Sequence, residues 1–132
     1  IQAGTQMVER VRQWNLRRCQ QGKPMARVRI GIESGTALVG DLGTSFRSTY
    51  TAVGDCINSA SKLQNAAKQY NHDIIVGPET AKRATQAQLV KIGMIELSGH
   101  SQPLPLHTPP DAVLSLPHSA LPLTGRPDPH TC

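Results

Sequence analysis

The 132-residue chain has few aromatic side chains: one tryptophan, two tyrosines and one phenylalanine. Acid is also scarce, with 9 Asp+Glu against 14 Lys+Arg and a formal net charge of +5. No apolar run approaches the ~20 residues a membrane-crossing helix needs, which excludes such a span within this segment. The opening residues are polar and lack the apolar stretch of a secretory signal. Cys19, Cys56 and Cys132 are odd in number and far apart, so they suggest neither the paired framework of a small secreted domain nor a CxxC metal knuckle. No internal repeat is present. At this length the chain holds one domain. It begins at Ile1 rather than Met, which reads as a piece of a longer protein or a processed product.

The basic residues are unevenly spread. Arg10, Arg12, Arg17, Arg18, Lys23, Arg27 and Arg29 are half of them, and only Glu9 opposes them there. Such a patch raises the possibility of nucleic-acid binding. Trp14 is the only aromatic in the stretch, however, so bases would find no interleaved stacking platform. A solvated helix face is the simpler reading, and no nucleic-acid partner is assigned.

Periodicity predicts a helix over 3–21, with Met7, Val8, Val11, Trp14 and Cys19 as its apolar side and Gly22 and Pro24 ending it. Val28, Ile30 and Ile32 alternate with polar or small residues, predicting a strand over 26–33. Ser34-Gly35 then suggests a turn into a second strand, 36–39, antiparallel to the first if that turn is tight. Residues 44–48 read as a loop and Tyr50–Val53 as a short β-prone stretch. Asp55 is placed as the N-cap of a helix from Cys56 to about Tyr70, with Ile57, Ala60, Leu63, Ala67 and Tyr70 buried. A short apolar strand over 73–76 and a small helix opening at Pro78 follow. Leu89–Leu97 reads as a strand interrupted at Gly93. Leu104–His107 reads as an edge strand, because prolines stand at 103 and 105. The resulting order, α-β-β-α-β-α-β-β, is an α+β architecture. Residues 1–107 form the domain. Residues 108–132, with six prolines and little charge, read as a disordered tail.

One helix face has chemistry to offer. Asn58 and Lys62 are four apart and project together, opposite the apolar stripe and near a helix N-terminus. An amide and an ammonium side by side suit a sugar-phosphate, the first for ribose and the second for phosphate. An ordinary solvated face would have the same spacing.

The surrounding residues narrow the choice. The run Arg29-Ile30-Gly31-Ile32-Glu33-Ser34-Gly35-Thr36-Ala37-Leu38-Val39-Gly40-Asp41-Leu42-Gly43, followed by Tyr50-Thr51-Ala52-Val53-Gly54-Asp55-Cys56-Ile57-Asn58-Ser59-Ala60-Ser61-Lys62-Leu63, resembles the class III adenylate/guanylate cyclase catalytic domain. The family pattern is roughly IGIxxGxxxxGxxG, a short loop, then YxxxGDxVNxAxRL. Gly99-His100-Ser101-Gln102-Pro103-Leu104 resembles the closing GxSxPxxV. The resemblance implies a ferredoxin-like α+β cyclase fold, N-terminally incomplete, working as a homodimer or paired with another cyclase domain. It implies ATP as substrate, with the 3′-hydroxyl attacking the α-phosphate and pyrophosphate leaving. By the same resemblance Asn58 contacts the ribose, Lys62 stabilises the transition-state phosphate, and Thr51 helps read the base, with a tilt towards adenine.

The departures also matter. The family's two metal-binding aspartates lie in a DIxGF-type strand and a GD hairpin, and neither motif occurs here. Mg2+ or Mn2+ is therefore expected in the complete domain, with no metal ligand assigned to this fragment. Lys62 stands where the family normally has Arg. It keeps the charge but lacks the planar fork, and one misplaced donor to a developing oxyanion costs on the order of 100-fold in rate. The alternative reading is a non-catalytic cyclase-homology module that dimerises and binds nucleotide as a regulator. Either would work in the cytoplasm, with membrane tethering left to other parts of a parent protein.

Overall fold

The structure, a computed structural model, describes residues 1–41, 43 and 49–110. In chain order the elements are α1 (Gln2–Gln20), β1 (Ile30–Ile32), β2 (Leu38–Asp41), β3 (Tyr50–Val53), α2 (Asp55–Tyr70), β4 (Ile74–Val76), α3 (Pro78–Arg83), β5 (Val90–Ile95) and β6 (Leu104–Thr108). The main sheet runs β1-β4-β6-β5, and β2 and β3 form a separate hairpin. β1 and β4 are parallel, from Ile30↔Ile74 to Ile32↔Val76, and the other pairings are antiparallel. A parallel pair needs a long crossover, and α2 lies within it.

β4 is the centre of the core. Its three residues have no exposure because both sheet faces are covered, which is why the strand is continuously apolar. Ile74 and Val76 join Val8 of α1 on one face, with Ile30 and Ile32 packed against them. Ile75 joins Leu63, Ala66, Ala67 and Leu106 on the other. Gly31 lies beneath α2, where a Cβ would run into the Ala60 carbonyl and the Gln64 amide nitrogen.

Several expectations need correction. In α1, Val8 is buried but Met7 is 58% and Trp14 43% exposed. The helix instead buries Gly4, Val8 and Asn15. The Asn15 side chain donates to the Ala26 carbonyl at 2.7 Å and accepts the Ala26 N–H at 2.8 Å, much as a neighbouring strand would. In α2, Ala66 joins Leu63 and Ala67 in the interior, while Ile57 is 43% exposed. Gly54, not Asp55, is the N-cap. Asp55 occupies the first helical turn, where its negative charge still complements the helix dipole.

The pairing of β2 also differs. It runs antiparallel to β3, with Leu38↔Val53 through Asp41↔Tyr50, and not to β1. After β1, Glu33 and Ser34 bond to Thr80 of α3 and Thr36 accepts from Cys56 of α2, so residues 33–36 do not close a tight hairpin. β6 is not an edge strand: it lies between β4 and β5. Proline is tolerated there because the registered pairing with β4 is at Val76↔His107, beyond Pro105. The predicted irregularity at Gly93 is present as a register shift between Lys91 and Gly93. The expected loop over 44–48 and residues 111–132 of the expected tail over 108–132 fall outside the described residues, but Thr108 is the last residue of β6, buried with its hydroxyl donating to the Ile74 carbonyl at 2.8 Å.

Candidate active site

Asn58 and Lys62 both lie exposed on α2, one turn apart, on the face away from the Leu63 and Ala67 packing. Lys62 Nζ donates to Ser98 Oγ at 2.7 Å. Thr51 sits half-buried in β3 opposite Gly40, on the strand that leads through Val53 and Gly54 into α2. Thus α2 brings Asn58 and Lys62 to one surface, and the adjoining hairpin supplies Thr51. No hydrogen bond joins Thr51 to the other two among the described residues.

The wall facing Lys62 is the segment from Glu96 to Pro103, which with Lys62 lines an open pocket of about 430 Å³. Leu97 is buried and anchors this segment. The His100 N–H returns to the Leu97 carbonyl at 3.2 Å, and Gly99 takes φ +85°, a backbone region glycine enters freely. Ser98, Gly99 and His100 also border a second pocket of about 320 Å³, with Glu33, Asp55 and Cys56 on its other side. Cys56 is a free thiol that donates to the Thr36 carbonyl at 3.5 Å. A larger concavity, about 850 Å³, lies between the start of α1 and the α3–β5 connection and contains none of Thr51, Asn58 and Lys62.

A polar latch shapes this second pocket. Glu33 Oε1 accepts the N–H groups of Ser34 and Thr80, each at 2.9 Å, and the Thr80 hydroxyl at 3.3 Å. The Ser34 and Thr80 hydroxyls are 2.9 Å apart. Nearby, a hydrogen bond from Lys82 and then its positive charge hold the Glu79 carboxyl below its ordinary pKa.

The β2–β3 hairpin presents apolar side chains to solvent. Tyr50 is 78% and Leu38 73% exposed, and Val39, Val53 and Ile57 are exposed beside them. A two-stranded hairpin with an uncovered apolar surface is marginal by itself. Among the described residues no three His, Cys, Asp or Glu side chains are grouped so that they could hold a metal ion. The two aspartates that the sequence resemblance implies for metal binding belong to motifs this sequence does not contain.

Residues 2–107 match the family described as the adenylate and guanylate cyclase catalytic domain. The chain belongs to that family. It is similar to Adenylate cyclase 1 of Rhizobium meliloti (strain 1021), with 33% identity over 100 residues, covering 75% of this chain and 15% of that protein. It is also similar to the adenylate cyclase of Anabaena cylindrica, with 30% identity over 77 residues, covering 58% of this chain and 15% of that protein. The chain thus spans about 15% of the length of these curated relatives. Among solved structures, the adenylyl cyclase CyaB from P. aeruginosa superimposes with a TM-score of 0.67 and 27% identity, over 79% of this chain and 53% of that one. The guanylyl cyclase Cya2 gives a TM-score of 0.60 at 22% identity, over 79% and 52%, which shows the shared fold alone.

The cyclase fold expected from the motifs is therefore the fold observed. Sequence reasoning did not find Ser98 beside Lys62, nor the Glu33–Thr80 latch. The segment around Gly99 and Pro103, read from the sequence only as a closing motif, is the one that faces Lys62. Its neighbour across the pocket is 36 residues away in sequence, and only the packed chain brings the two together.

Proposed function

We propose that this chain is the C-terminal part of a nucleotide cyclase catalytic domain whose parent protein converts ATP to cyclic AMP and pyrophosphate in intracellular signalling. In that reaction the ribose 3′-oxygen forms a bond to the α-phosphorus, the bond to pyrophosphate breaks, and the 3′-hydroxyl gives up its proton. Asn58 orients the ribose through its amide. Lys62 places an ammonium against the phosphate as negative charge builds there. Thr51 offers one hydroxyl donor and acceptor to the base. Mg2+ or Mn2+, when bound in the complete domain, would supply charge neutralisation.

The observation that carries this reading is the Asn58–Lys62 pair on one exposed face of α2 in a chain of the cyclase family. The apolar surface of the β2–β3 hairpin supports a paired arrangement, either a homodimer or a second cyclase domain. The adenylate cyclases among the relatives support ATP; comparable kcat/KM for ATP and GTP in the parent protein would overturn that preference. No helix among the described residues is long and apolar enough to cross a membrane. The cyclase reading places the domain in the cytoplasm.

Substitution in the parent protein tests the role of Lys62. Lys62→Ala lowers kcat far more than it raises KM, because the contact is made mainly in the transition state. Lys62→Arg restores a planar fork and keeps or raises turnover. Unchanged turnover in an active parent carrying Lys62→Ala removes the role. Lys in place of the family's Arg favours one second reading, a cyclase-homology module that pairs and regulates. A parent that binds ATP, makes no cyclic nucleotide and alters the output of an active cyclase partner would establish it.

A further inference from the structure

Lys62 makes its side-chain contact with a neutral group. Its ammonium donates to the Ser98 hydroxyl at 2.7 Å, while Glu96, the carboxylate lining the same pocket, forms no ion pair with it among the described residues. A carboxylate partner would both hold the ammonium and cancel its charge. A hydroxyl holds it and leaves the charge intact. Two of the three ammonium protons remain free for other acceptors. Ser98 is itself well placed to act as an anchor, between buried Leu97 and the glycine turn that the His100 N–H closes onto the Leu97 carbonyl.

We infer that Ser98 is a positioning residue for Lys62: its hydroxyl fixes the flexible ammonium in the orientation that meets the nucleotide phosphates. The inference rests on the cyclase reading above. Its physical basis is the difference between the two cations. An Arg fork is preorganised, whereas a Lys on a four-carbon stem must be held by something outside itself. Ser98 supplies that restraint across the pocket.

The test is a double-mutant cycle in the parent protein. Ser98→Ala lowers kcat for ATP by about tenfold with KM within about twofold, as expected for loss of orientation and not of binding. Ser98→Thr retains the hydroxyl and recovers most of that loss. In a Lys62→Ala background Ser98→Ala has no further effect, because nothing remains to be positioned. An unchanged kcat in Ser98→Ala, or the same loss with and without Lys62, overturns the inference. If the parent makes no cyclic nucleotide, the cyclase reading fails separately, and the tether is read from Lys62 itself. Acetylation of Lys62 by acetic anhydride, followed by mass spectrometry, then rises by about threefold in Ser98→Ala as the flexible amine is released. Unchanged labelling overturns the inference.

Discussion

Glu33 and Thr80, 47 positions apart, meet at a single carboxylate oxygen: Glu33 Oε1 accepts both the backbone N–H and the hydroxyl of Thr80. This joins the end of β1 to the first turns of α3 and directs residues 33–36 past the start of α2. Glu33→Ala leaves the Ser34 and Thr80 donors without their acceptor and costs about 1–3 kcal/mol. Glu33→Gln retains an acceptor oxygen and costs less. Urea unfolding of the three proteins checks the order, and equal stability of wild type and Glu33→Ala would contradict it.

Gly31 permits backbone-to-backbone contact between β1 and α2. In Gly31→Ala the added methyl meets the Ala60 carbonyl and Gln64 backbone, neither of which can rotate away. The helix must shift, at a cost of about 1–3 kcal/mol. Asn58 and Lys62 move with it, so thermal unfolding and parent turnover should fall together. A melting temperature equal to wild type would show that the contact is looser than described.

His107 gives the fold a pH dependence. Burial first, and the charge of Lys91 second, hold its imidazole below the ordinary value of 6.5. Its Nδ1 is buried without a hydrogen-bond partner, and Lys91 lies opposite it in the β5–β6 ladder. The unfolded chain therefore binds the proton first as pH falls. The stabilising contribution is fully present above 6.5. It declines as pH drops through that value towards the folded pKa, and it is absent below both. His107→Gln lacks this titration, so the stability difference between wild type and variant should shift over that window. A constant difference from pH ~8 to pH ~5 would count against it.

The isolated chain should make no cyclic nucleotide from ATP and manganese, because the two aspartates that hold metal in the family belong to motifs this sequence does not contain. A sensitive product assay on the purified chain checks this. Activity that is lost in Lys62→Ala would show that a metal site is assembled here after all.

Local chemistry was enough to read much of this protein from its residues. The apolar run at 74–76, the spacing of Leu63 and Ala67, Pro78 at a helix start and Gly93 as an interruption all act within a few residues of themselves. The structure carries each of them. The cyclase motifs were legible for a related reason: they combine close-approach glycines with polar residues at fixed helical spacing. Asn58 and Lys62 fall on one face because four residues make about one turn of helix.

Tertiary structure alone decided what lay beside these elements. Periodicity gives Met7 and Trp14 the same apolar weight as Val8, but only the position of the sheet determines which side of α1 is covered. Strand alternation identifies β1, β2 and β6 without naming their partners, because a ladder's backbone donors and acceptors are nearly the same for every sequence. β1 pairs with β4 and not β2, β5 makes β6 an interior strand, and chain packing brings Ser98 to Lys62. Those contacts span tens of residues, so the free energy that selects them comes from burying whole surfaces at once and is not written in any short window of the sequence.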